Sequence, residues 1–213
     1  MKAFFHKYQA AIETFFLILL LAGGCVWKYQ EIRAQQLQQD IAQKILRFHV
    51  RANSDSSADQ ALKLKVRDAV GARMQQELAG VNDREECTRI VQAQLAQIIA
   101  AAEQTIQQEG YDYPVDAQIE TVEFPQKTYG NYTFPAGEYL ALNVVIGSGK
   151  GQNWWCVMYP NLCFRGAVYE VVEDEAKKSL QQVLDEDEYD AVLKSGKYKV
   201  RFQYLDFFNR FLD

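Results

Sequence analysis

Leu46-Arg47-Phe48-His49-Val50-Arg51-Ala52 alternates without a break. Leu46, Phe48, Val50 and Ala52 face one way and Arg47, His49 and Arg51 the other, the period of a half-buried β-strand, read here over 44–52. Asn53-Ser54-Asp55-Ser56 ends it. Ser56 with Asp59 three residues on has the form of a capping box, in which side chains satisfy the orphan amides of a helix start. A helix is therefore expected to about Leu78, with Leu62, Val66, Ala69, Val70, Met74 and Leu78 inward. Gly80 and Asn82-Asp83 mark a turn. A second helix follows over Arg84–Glu109, with Ile90, Val91, Leu95, Ile98, Ile99, Ala102 and Ile106 on one stripe and Gly110 as the residue that ends it.

Beyond Gly110 the period returns to two. Val115, Ala117 and Ile119 alternate with polar residues, and 124–135 reads as a loop rich in Pro, Gly and Tyr. Glu138–Ile146 is apolar on both faces, as a central strand is. Val168–Val172 reads as a further strand, 173–193 as mostly helical and Lys197–Leu205 as an alternating strand. The terminal Phe207, Phe208, Phe211 and Leu212 call for a surface to cover them. Strands on both sides of a helical pair predict one α+β domain over 44–213, a mixed or antiparallel sheet with helices packed on one face. About 170 residues are enough for one core and too few for two.

Upstream, the uncharged run Thr14–Trp27 follows Lys2 and Lys7, so residues 1–27 read as a signal peptide or membrane anchor. Ala22-Gly23-Gly24-Cys25 resembles a lipidation motif but has Ala22 where Leu is usual. The Gln-rich stretch 28–43, with Ile32, Leu37 and Ile41 at helical spacing, reads as a stalk. The net charge of −5 argues against nucleic-acid binding.

Asn153-Trp154-Trp155-Cys156-Val157-Met158-Tyr159-Pro160-Asn161-Leu162-Cys163 carries two cysteines around a Pro-Asn turn signal. After export such a pair suits a disulfide-closed loop that holds its tip rigid for recognition. On an extended segment Trp154 and Trp155 point to opposite faces, one toward a core and the other toward a partner. The rival reading makes Cys156 a nucleophile and His49 its base, since His6 lies in the basic leader. Cysteines at 25, 87, 156 and 163 have no metal-ligand spacing. Cys87 would be the odd thiol, available for dimerisation. Gly147-Ser148-Gly149-Lys150-Gly151 lacks the Gly-Lys-Ser/Thr order of a phosphate loop and reads as a flexible turn. No catalytic constellation, metal, cofactor or small-molecule substrate is expected. The candidate partner-binding residues are Arg47, His49, Arg51, Asn53, Asp55, Trp154, Trp155 and Tyr159.

Arg47–Ser56, Asp59–Asp68, Phe124–Gly130, Phe134–Leu142 and Gly147–Phe164 together resemble the stage II sporulation protein R family. The resemblance implies a signalling protein, exported from the forespore toward the space between forespore and mother cell. There it would trigger a membrane-embedded aspartic protease that removes the pro-sequence of sigma-E.

Overall fold

A computed structural model of the chain describes residues 2–162 and 173–193. The elements are α1 (Lys2–Lys44), β1 (Leu46–Arg51), α2 (Ser57–Glu77), α3 (Arg84–Ala93), α4 (Leu95–Gln108), β2 (Val115–Phe124), β3 (Lys127–Tyr129), β4 (Tyr132–Phe134), β5 (Gly137–Ile146), β6 (Asn153–Tyr159), α5 (Glu173–Val183) and α6 (Glu186–Leu193). The chain divides into two compact units, Met1–Asp40 and Ile41–Asp213. In the first, α1 exposes Phe15, Phe16, Leu17, Ile18, Leu19, Leu20 and Leu21. Over Ala11–Lys44 the helix is long and apolar enough to cross a membrane, with a mean hydropathy of 1.7 in its most apolar window. It fits a signal or membrane anchor.

The second unit is α+β. Its main sheet runs β2-β5-β1-β6 and is mixed. β1 is parallel to β5 and antiparallel to β6, and β5 is antiparallel to β2. Phe48 and Val50 lie on the face that α2 covers with Leu62, Val66, Val70 and Met74, all buried. α4 packs against α2 and β2 through Ile98, Ala102 and Ile106. Ser56 caps α2 as its spacing implies, its hydroxyl accepting from the Asp59 amide at 3.1 Å. Asp83 does the same for α3 toward the Glu86 amide.

Four expectations change. β1 is not half-buried: it is a central strand, and Arg47 and His49 are 0% and 2% exposed. The stretch read as a loop over 124–135 contains the β3–β4 hairpin, turned by Gly130 at φ 57°. The second helix divides at Gln94, which relaxes to φ −96°, ψ 3° and shares its amide between the Ile90 and Val91 carbonyls. The Gly147–Gly151 segment is firmly held, as described below. Val168–Val172, Lys197–Leu205, the apolar tail and Cys163 lie outside the described residues.

Candidate functional site

Alternation along β1 places Arg47, His49 and Arg51 on the sheet face opposite α2. Arg47 is enclosed by rings: its guanidinium carbon lies 4.3 Å from the Phe124 centroid, 4.9 Å from Tyr139, 5.4 Å from Phe134 and 5.8 Å from Tyr129. Its Nε donates to the Cys156 carbonyl at 3.0 Å and its Nη2 to the Tyr129 hydroxyl at 3.0 Å. Burial pulls the Arg47 pKa below its ordinary value, opposed by the two tyrosines. Burial also raises that of Tyr129, opposed by Arg47. Ring quadrupoles replace a carboxylate as the stabilising field here.

His49 sits beside this box. Its ring stacks on Trp155 at 3.9 Å and 11° and meets Phe124 edge-on at 5.8 Å. Its pKa falls to about 4, chiefly through burial and further through the charges of Arg51 and Arg47. Asn153 lies close enough to oppose that fall, yet neither ring nitrogen makes a hydrogen bond of ordinary geometry. Among the described residues, Arg47 Nη1, Arg51 Nε, Asn143 Oδ1 and Asn153 Oδ1 are likewise buried without a hydrogen-bond partner. Asn143 is 3% exposed and donates to Glu120. Arg51, Asn153 and Trp155 are partly exposed and form the rim.

Asn53 and Asp55 have a structural task. They leave β1 at its carboxyl end and tie its loop to the turn after β5, the strand parallel to it. Every amide from Gly147 to Gln152 is engaged. Gly147 donates to the Pro114 carbonyl, Gly149 to Ile146, Lys150 to Asn53 and Gly151 to Ala52. Ser148 donates to Asn53 Oδ1 and Gln152 to Asp55 Oδ1. A phosphate would find no free backbone donor here. A Cβ on Gly151 would stand 2.5 Å from the Ser54 carbonyl carbon and 2.9 Å from Ala52 Cβ, so only glycine fits. Asp59 closes the knot: hydrogen bonds from Ser54 and Asn53 hold its carboxyl below the ordinary range.

Trp154 and Trp155 do point to opposite faces. Trp154 meets Phe48 edge-on at 5.4 Å, with the Arg67 guanidinium 5.1 Å from its ring. Tyr159, expected at a partner surface, is 8% exposed, and its hydroxyl donates to the Asn82 carbonyl at 2.6 Å. It secures the end of β6 to the α2–α3 turn.

The thiol–imidazole pair is not assembled. Cys156 is in register with Phe48, and His49 with Trp155. Neighbouring positions on one strand point to opposite faces, so the Cys156 thiol side and the His49 ring lie on opposite sides of the sheet. Among the described residues Cys25 and Cys87 are free cysteines, and Cys87 is 1% exposed. Burial, then Asp83 and Glu86, pushes its thiol up to about 12, so it is not available for dimerisation. Among the described residues no group of three or more His, Cys, Asp or Glu side chains could hold a metal.

Sequence reading missed Phe124, Tyr129, Tyr139 and Asn143 as members of the site. Their only local signal was the density of aromatics around 124–139.

A family model described as stage II sporulation protein R matches residues 42–169. Stage II sporulation protein R of Bacillus subtilis (strain 168) is 36% identical over 200 residues, covering 90% of this chain and 88% of that protein. No solved structure matches.

Proposed function

This chain belongs to the stage II sporulation protein R family, and from that premise we propose that it is an exported sporulation signal that activates a membrane-embedded aspartic protease, leading to processing of pro-sigma-E. It would leave the forespore and act in the intermembrane space, either secreted or held by its N-terminal segment. The observation that carries this reading is a family match over residues 42–169 of the folded unit, joined to an apolar helix able to enter a membrane. The separation of Cys156 from His49 speaks against a cell-envelope thiol hydrolase.

The docking surface in this reading combines Arg51 and Trp155 with Asn53 and Asp55 at the carboxyl end of β1. Arg47 and His49 support it from beneath, while Trp154 and Tyr159 pack toward the α2 side. A Cys156–Cys163 disulfide would stiffen the loop after β6. In support of that pairing, Cys156 is not a free thiol. An aspartic protease of this kind needs two carboxyl groups brought together. The signal shifts that equilibrium by binding the assembled form more tightly than the separated one.

The test is pro-sigma-E processing in a non-sporulating host carrying the protease, the pro-factor and this chain, with and without residues 1–27. Processing that requires the exported chain is the expected result. Its absence, with all three proteins present and this one exported and oxidised, refutes the proposal.

A further inference from the structure

The β1/β6 half of the sheet face opposite α2 holds more hydrogen-bonding capacity than the protein uses. Arg51 and Arg47 bring two guanidinium groups to it, and neither forms an ion pair with a carboxylate among the described residues. Among the described residues, Arg47 Nη1, the His49 ring nitrogens, Arg51 Nε and Asn153 Oδ1 make no hydrogen bond of ordinary geometry on this face, although Asn153 lies close enough to His49 to oppose the fall of its pKa. Natural interiors leave few such groups, because an unmet buried donor or acceptor keeps its full desolvation penalty.

The chemistry of the row selects the ligand. The charged donors are all cationic, so they favour an anion. Arg51, partly exposed at the rim, presents the planar fork that pairs best with a carboxylate. Asn153 Oδ1 is buried within reach of the His49 ring, so a peptide N–H meets it only when that side chain turns outward. Trp155, half-buried beside them, offers an apolar platform to the adjoining residue.

We propose that this face recognises an acidic peptide segment of a partner protein, with Arg51 taking the carboxylate, Asn153 a backbone N–H and Trp155 the flanking side chain. The inference rests on reading this face as a docking surface and names what that surface recognises. The chain as a whole carries −5 and β2 brings Asp116 and Glu120 to the same sheet face, so the preference is local to the β1/β6 half and does not come from bulk attraction.

The experiment titrates the full chain in detergent micelles with two probe peptides, acetyl-Asp-Glu-amide and acetyl-Asn-Gln-amide. The Arg51 Nε–H and Trp155 indole N–H resonances are followed by NMR. The acidic peptide is expected to move both saturably, at least tenfold more tightly than the neutral one, with binding weakened by added salt. Arg51→Gln is expected to weaken the acidic peptide at least tenfold, and Arg51→Lys by an intermediate amount, since it keeps charge and loses the fork. Absence of a saturable shift, or equal binding of the neutral peptide, overturns the proposal. Should Arg51→Gln unfold, the comparison of the two peptides on the unaltered chain decides it. Failure here with sigma-E processing intact removes this inference alone. Failure of processing with peptide binding intact removes the proposed function and leaves the acidic-peptide site.

Discussion

Gly151→Ala should destabilise the folded unit by about 3 kcal/mol. The added Cβ would stand 2.5 Å from the Ser54 carbonyl carbon and 2.9 Å from Ala52 Cβ, where ordinary contacts begin near 3.4 Å. The nearest obstacle is backbone and cannot rotate away. Relief requires the 52–56 loop and the 147–151 turn to part by about 1 Å. That breaks the Gly151 amide bond to the Ala52 carbonyl at 2.9 Å and strains those of Ser148 and Gln152 to Asn53 and Asp55. One lost hydrogen bond at about 1 kcal/mol, two weakened ones at about 0.5 kcal/mol each, and about 1 kcal/mol of overpacking give the total. For a unit of this size the midpoint should fall by about 6–12 °C. Urea unfolding followed by tryptophan fluorescence is the assay, since Trp154 and Trp155 begin β6 just beyond the turn. The slope should stay unchanged while the midpoint moves. Gly80→Ala is the control: its Cβ meets nothing within 4 Å, and only the backbone at φ +81° resists it, at about 1 kcal/mol. A loss under about 0.5 kcal/mol in Gly151→Ala, or an equal loss in Gly80→Ala, refutes the reasoning.

Ser56→Ala should cost about 1 kcal/mol through loss of the α2 cap, read as a lower urea midpoint. His49 has a folded pKa of about 4 against 6.5 unfolded, so the unfolded chain binds more protons between those values. Its contribution is complete above pH 6.5 and is lost as pH falls toward 4; His49→Gln should flatten the stability–pH curve across that window. Cys87 should resist alkylation at pH 8 in the folded protein and react at once in denaturant, as mass spectrometry would show. If Cys156 and Cys163 are paired, Cys156→Ala and Cys163→Ala should impair processing to the same degree. A far worse Cys156→Ala would favour a nucleophile instead.

Much of the fold was legible because its signals are local. The β1 alternation, the Ser56 cap and the doubly apolar β5 each lie within ten residues of chain. What escaped was long-range. Alternation reports that two faces of a strand differ in chemistry and not that one is wet, so the Arg47–His49–Arg51 row passed for a solvent face. Its partners are rings some eighty to ninety residues downstream, and a buried cation is usually sought beside a carboxylate. Strands of three residues are too short to display a period, which hid β3 and β4. The separation of Cys156 from His49 depends on register, and a one-residue slip would have placed them together.

The parallel pairing of β1 with β5 also sets an order of events during synthesis. Each β1 residue meets a β5 partner more than ninety positions later, and its other neighbour, β6, comes later still. The central strand is thus made early and waits for both sides of its sheet. Helices α2 to α4 can form locally in the interval, but the core that unites them cannot close until Tyr159 has left the ribosome. A chain with this topology remains unlocked for most of its synthesis, the state in which a polypeptide can be threaded across a bilayer.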